Sequence, residues 1–269
     1  MFGGDGRKYK LCPNVVSYSA AISACEKARN WEKAIELLNE MQSRGVEPTV
    51  MSFNATISAC EKGGQAEKAL ALFAEMKAHG IMPNVVVFSA VISACGKGGG
   101  EYVEVAIRHL DEMKRCGIRP NEIIYRTIAK TCYDNQRYPE ARKKVQEAVS
   151  TGFLPPLIAD AKQWDLHRMR EAPACMLLAN ALLSSVDTKS FRDILVITGK
   201  GKNSEEGPVL QLKVPAFLRD VAGLELSEHV KRGEVNDGAF VISKKALKKW
   251  AKSDDFNRFR DLMTGKEKE

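Results

Sequence analysis

Along residues 15–156, apolar positions return in blocks rather than as one amphipathic stretch. Three segments align: VVSYSAAISACEKARNWEKAIELLNEMQSRGVEPT (15–49), VMSFNATISACEKGGQAEKALALFAEMKAHGIMPN (50–84) and VVVFSAVISACGKGGGEYVEVAIRHLDEMKRCGIRPN (85–121). A decayed fourth follows at 122–156. The first two are 35 residues long and the third is 37, its extra residues falling at Gly98-Gly99-Gly100. Within a block the apolar spacing is helical. Tyr18, Ile22 and Cys25 share one helix face, and Ala34, Leu38 and Met41 repeat it in a second helix. Asn30, or a glycine-rich bend in later blocks, divides the pair. Gly45-x-x-Pro48 closes it, because Gly accepts the bend beyond a helix end and Pro forbids continuation. Neither helix buries its face alone, whereas stacked neighbours do, so the pattern predicts an α-solenoid of helix-turn-helix repeats with a concave surface. Residues 11–14, LCPN, match the tail of a further block, and the chain reads as the end of a longer array.

Beyond Pro155-Pro156 the period breaks. QWDLH (163–167) and FRDILVIT (191–198) have strand character, with an Ala- and Leu-rich helix at 171–186 between them. Residues 208–222 read as a helix that Pro215 interrupts or restarts. LELSEHV (224–230) alternates as a strand, and AFVIS (239–243) follows an expected Asn236-Asp237-Gly238 turn. The order β-α-β-α-β-β predicts a small α/β domain. The expected division is a solenoid over 1–156, the α/β domain over 157–245 and a basic helical tail over 246–269.

Charge alters this picture through its distribution. The net charge is +7, but residues 15–121 sum to zero, 122–156 to +2, 157–240 to −1 and 241–269 to +4. A polyanionic partner is favoured, with the positive field gathered at the C-terminal end. No run of eighteen apolar residues occurs, so no membrane partner is expected. MFGGDGRKYK lacks the apolar core of a secretory signal and has too little Arg and Ser for a transit peptide. The seven cysteines include no CxxC pair. Cys25, Cys60, Cys95 and Cys132 recur at one place in successive blocks, which reads as small core thiols rather than ligands.

Two places carry candidate chemistry. ITGKGKNS (197–204) runs from a strand into glycines and lysines. Its spacing fails GxxxxGK[ST], but a GxG at a strand end can turn backbone N–H groups toward an anion, with Lys200 and Lys202 adding charge. Asp165 and His167 stand two apart on the expected strand and so share a face. A carboxylate that orients an imidazole suits proton transfer near neutral pH, although D-x-H alone also fits an ordinary surface pair.

The 35-residue period with its terminal GxxP resembles the pentatricopeptide repeat family over residues 15–156. The resemblance implies single-stranded RNA as partner, read at about one base per unit by the fifth and last residues of each unit. Here those are Ser19 with Thr49, Asn54 with Asn84, Ser89 with Asn121, and Arg126 with Pro156. By the family's code the first pair leans to a purine, the second to a pyrimidine and the third to adenine. Arg126 with Pro156 departs from the code, so the fourth unit is not expected to read a base.

DLH, a following Glu171-Ala172, ITGKGxxS and NDGAF together resemble the Smr (small MutS-related) domain over roughly 156–245. The resemblance implies that Asp165 and His167 act in catalysis, and that Gly199, Lys200, Gly201, Lys202 and Asn203 form a phosphate-contacting loop. Trp164 replaces a Leu, Arg168 a Gly, and Asn203 the loop's His. The combined expectation is a monomeric RNA-binding protein of chloroplast or mitochondrial RNA processing, whose Smr-like domain binds RNA or cuts it as an endonuclease. Whether Mg2+ or Mn2+ takes part is left open by the sequence. A non-catalytic RNA-stabilising protein and a protein-scaffolding solenoid are the alternatives.

Overall fold

The computed structural model describes residues 13–157, 161–167, 169–199, 209–231 and 234–266. The chain divides into two compact units, Met1–Arg119 and Pro120–Glu269.

The first unit is a stack of helical pairs: α1 (Val15–Lys27) with α2 (Trp31–Ser43), α3 (Val50–Lys62) with α4 (Ala66–Ala78), and α5 (Val85–Gly98) with α6 (Val103–Arg115). A 3-10 turn, Gly100–Tyr102, takes up the longer third block. The expected faces are the buried ones: Tyr18, Ile22, Ala34, Leu38 and Met41 are all removed from solvent. α1 packs on α3 and α3 on α5, so Phe53, Ile57, Phe88 and Ile92 fill the space between successive pairs. Cys60 and Cys95 are fully buried, and burial pushes each thiol up to about 11, as expected of core thiols; Cys25 is half-buried. Each pair ends alike. Gly45 has φ 72°, its N–H donates to Gln42 O (2.9 Å), and Val46 N–H donates to Met41 O (3.0 Å). This Schellman arrangement returns at Gly80 and Gly117, so the GxxP signature is a repeated helix stop.

The second unit begins with a fourth pair, α7 (Glu122–Asp134) and α8 (Tyr138–Ser150), and goes on through β1 (Gln163–Asp165), α9 (Glu171–Asp187), β2 (Ile194–Ile197), α10 (Val209–Ala216), β3 (Ser227–Lys231), β4 (Glu234–Ile242), α11 (Lys244–Trp250) and α12 (Asp254–Thr264). This is the β-α-β-α-β-β order that the sequence predicts. The sheet runs β1-β2-β4-β3, with β1 parallel to β2 and the other neighbours antiparallel. α9 is apolar on nearly every side because α7 and α8 cover one flank and α10 another.

Three details differ from expectation. β1 stops at Asp165, so His167 lies in the turn after the strand, although Leu166 N–H still donates to Ile197 O (2.8 Å). Residues 236–238 lie inside β4 rather than in a turn before it, since the β3–β4 register closes at Lys231 and Glu234. The lysine-rich tail is packed rather than free: Trp250, Phe256, Phe259 and Met263 are buried, and Trp250 Nε1–H donates to Ala222 O (2.5 Å). Pro215 does interrupt its helix. It brings no N–H to the ladder, and the chain continues as a wider π turn over Phe217–Val221.

Candidate nucleic-acid interface

Ser19, Asn54 and Ser89 each stand one turn into the first helix of their unit and are half-buried. Three residues before each lies an exposed apolar side chain: Val16, Met51 and Val86, exposed by 70%, 70% and 49%. Residues three apart share a helix face. Since α1, α3 and α5 stack in order, the units present a row of polar and apolar pairs. The second position of the fourth unit repeats the feature, with Ile123 exposed by 63%. Sequence reasoning passed over these apolar residues. The signal was available in the alignment: an apolar second residue in every block, out of phase with the buried stripe.

The last residue of each of the first three units caps the next helix. Asn84 Oδ1 accepts from Val86 N–H (3.0 Å) and Val87 N–H (3.1 Å), and Asn121 Oδ1 accepts from Ile124 N–H (3.0 Å). Thr49 Oγ1 accepts from Ser52 N–H (3.4 Å), and Ser52 Oγ accepts from Thr49 N–H (2.7 Å). Capping therefore occupies the acceptor oxygen and leaves each Asn with amide donors. Asn54 shows the reverse: its Oδ1 is buried without a hydrogen-bond partner.

In the second unit, alternation along 164–167 buries Trp164 and Leu166 and turns Asp165 and His167 outward. His167 Nδ1 lies 2.6 Å from Asp165 Oδ1, and the His167 backbone N–H donates to the same oxygen (3.1 Å). When the imidazole is neutral, an Nδ1–H donated to the carboxylate puts the lone pair on Nε2. The end of β2 meets this pair. Thr198 N–H and Gly199 N–H both donate to Gly238 O (2.9 and 3.0 Å), and Thr198 Oγ1 donates there too (3.2 Å). Gly199 has φ 78°, and a Cβ on it would stand 3.0 Å from His167 Cβ. Glycine is required there by backbone conformation, and the close approach of His167 Cβ adds to it. The Gly199 N–H is engaged by Gly238 O. Lys200, Gly201, Lys202 and Asn203 lie outside the described residues. Arg126, on α7, is half-buried and its Nη1 donates to Glu122 Oε1 (3.0 Å); Pro156 is exposed.

Among the described residues, no three His, Cys, Asp or Glu side chains gather as a metal site, and no helix is long and apolar enough to cross a membrane. Asp165 and His167 alone offer such donors at the dyad, and the two are bonded to each other.

The pentatricopeptide repeat domain matches residues 7–63 and 37–98, and the Smr domain matches 164–245. No curated protein matches the chain. Among solved structures, the pentatricopeptide repeat protein PPR10 from maize is 27% identical with a TM-score of 0.46 over 66% of this chain, which spans 23% of that protein's length. The PPR domain of Arabidopsis thaliana protein-only RNase P 1, solved in complex with tRNA, is 17% identical with a TM-score of 0.50, covering 89% of this chain and 99% of that one. Arabidopsis thaliana nuclear protein-only RNase P 2 is 14% identical with the same TM-score, covering 89% of this chain and 42% of its own. The likeness to the two Arabidopsis proteins is one of helical-repeat fold.

Proposed function

The chain belongs to the pentatricopeptide-repeat proteins that carry a C-terminal Smr domain, and from that premise we propose that its repeats hold single-stranded RNA while its Smr domain cuts it. The observation that carries the cutting step is the 2.6 Å contact of His167 Nδ1 with Asp165 at the rim of the Thr198-Gly199 turn. A neutral imidazole oriented in this way is a general base. His167 Nε2 would take the proton of a water or of the RNA 2′-hydroxyl, the resulting oxygen attacks the adjacent phosphorus, and the 5′-oxygen leaves with a proton. Lysines 200 and 202 would offset the charge that develops on the phosphate.

For the repeats, the paired row supports a strand laid along stacked helices. Val16, Met51 and Val86 give bases an apolar surface, and the fifth and last residues supply the hydrogen bonds. Taken in order, the three units are expected to prefer purine, pyrimidine, adenine in the 5′ to 3′ direction. An organellar setting, chloroplast or mitochondrion, fits proteins of this type.

Incubation with end-labelled random-sequence RNA, with and without Mg2+ or Mn2+, tests the reading. Retained RNA and new ends are expected, with the new ends lost and retention kept in His167→Ala. A variant that cuts at the parental rate would refute the role of His167. Analysis of the new ends separates a 2′,3′-cyclic phosphate, from hydroxyl attack, from a water-derived monophosphate. Asn203, standing where the Smr loop has a His, favours a second reading in which the domain grips RNA without cutting it. Retention by the parent protein without any new ends would decide for that one.

A further inference from the structure

The fourth helical pair is built into the same compact unit as the Smr domain. Tyr133 of α7 donates to the buried Cys175 Sγ of α9 (3.5 Å), and the rings of Tyr133 and Tyr138 stand 6.1 and 6.4 Å from Phe217. Arg142 of α8 reaches both Asn180 of α9 and the Met263 carbonyl of α12. These contacts hold a cleft of about 420 Å3 between the pair and the dyad. Arg126, Phe153 and Pro155 line it from the helical side, with Asp165, His167 and Arg170 opposite.

We propose that this cleft seats one nucleotide of the RNA, with the Arg126 guanidinium gripping its phosphate beside His167 and the Phe153–Pro155 wall carrying its base. The proposal rests on the reading of the Smr domain as an RNA-acting site. Three observations converge on it. The volume lies in the range of small-molecule pockets, and the lining sets apolar Phe153, Leu154 and Pro155 beside the charged Arg126 and Arg170. The carboxylates of the cleft are already engaged, Asp165 by His167 and Glu122 by Arg126. Among the described residues the Arg170 guanidinium makes no hydrogen bond or ion pair, and Arg126 spends one guanidinium nitrogen on Glu122, so the N–H donors that remain to these two side chains suit an anion. Finally, Arg126 fills the fifth position of its unit, where the other units carry Ser or Asn. The fourth unit departs from the base-reading pattern at the residue that lines the dyad's cleft. Its degeneracy thus marks a different role, since a guanidinium fork suits a phosphate as a hydroxyl or amide suits a base edge.

Calorimetric titration of the whole protein with an equimolar mixture of the four ribonucleoside 5′-monophosphates tests this without requiring turnover. The parent protein is expected to bind the mixture more tightly than inorganic phosphate. Arg126→Ala should weaken it at least tenfold, as should Arg126→Gln, which keeps most of the stem and its packing. Lys33→Gln, at an exposed pair with Glu36 on α2, should leave it unchanged. Three results would each overturn the proposal: no binding by the parent, equal binding of inorganic phosphate, or equal affinities in the parent and both Arg126 variants. Loss of His167-dependent cutting with monophosphate binding intact would refute the nuclease reading and leave the cleft assignment standing. Cutting that depends on His167 without monophosphate binding would refute the cleft assignment alone.

Discussion

At the scale of single residues, the repeat face keeps a feature that stability alone would remove. Asn54 Oδ1 is buried and unpaired, a condition that costs about 1–3 kcal/mol. Asn54→Leu, with the same branched shape and without the orphaned acceptor, is expected to raise stability by about 1 kcal/mol in urea titration. The same change should erase the pyrimidine preference of the second unit in a binding selection. A loss of stability would mean that the oxygen is satisfied in solution. Much of this scale was legible in the sequence. Ser19, Asn54 and Ser89 fall on one row because the repeat period places them there. That Thr49, Asn84 and Asn121 start the next helices is readable as well, because Thr and Asn favour helix starts. That the Gly199 N–H is taken by Gly238 was not, since it depends on a contact 39 residues distant, which no local pattern records.

At the scale of elements, the cap and the code can be separated. Asn84 uses its oxygen to start α5, and the proposed base reading draws on its amide donors. Asn84→Asp retains the acceptor and places a negative charge at a helix N-terminus, where it is favourable by about 0.3–1 kcal/mol. Thermal stability should hold or rise slightly, while discrimination in the second unit is lost with the donors. A parallel fall in both would make the residue a cap alone. The packing of α6 on α4 carries a second test. His109 sits edge-on to Phe73 at 5.0 Å, with Glu112 at 3.0 Å and Lys77 and Arg108 nearby. Burial holds the imidazole below its ordinary 6.5, outweighing the pull of Glu112. The unfolded chain therefore takes up this proton first as pH falls, and stability from the neutral ring is complete above 6.5 and drains away below it. Glu112, held below 4.5 mainly by Lys77 and His109 against its own burial, adds a loss at lower pH still. Urea midpoints at pH 7.5 and 5.5 should differ less in His109→Gln than in the parent. Equal differences would place the titration elsewhere. The strand lengths belong to this scale too. QWDLH has the composition of a longer strand than the three residues that pair with β2, because pairing ends where β2 gives way to the Thr198-Gly199 turn.

At the scale of the whole molecule, the positive charge and the proposed base-reading row lie in different segments. Residues 15–121 sum to zero, and many of their charged side chains pair with one another: Glu26 with Lys62 (2.8 Å), Glu61 with Lys97 (2.7 Å) and Glu112 with Lys77 (2.7 Å) link successive units. Such partly exposed pairs contribute little stability, but they leave the array little free charge for phosphates. Residues 241–269 carry +4; Lys244, Lys245 and Lys248 are exposed on α11 and Lys252 in the turn after it, on a segment anchored by Trp250 and Phe259. If RNA phosphates reach this surface, each neutralised phosphate contributes about −0.7 to the slope of log K against log salt. Replacing the four lysines with Gln should then flatten the slope by up to about 3. The base preferences of the three repeats should not change, since they rest on hydrogen bonds within the array. A slope unaltered by the substitutions would show that the packed helices play no part in binding. A changed preference would show that recognition and attraction are not separable in this chain, and the row of polar and apolar pairs would lose its standing as the element that chooses the sequence.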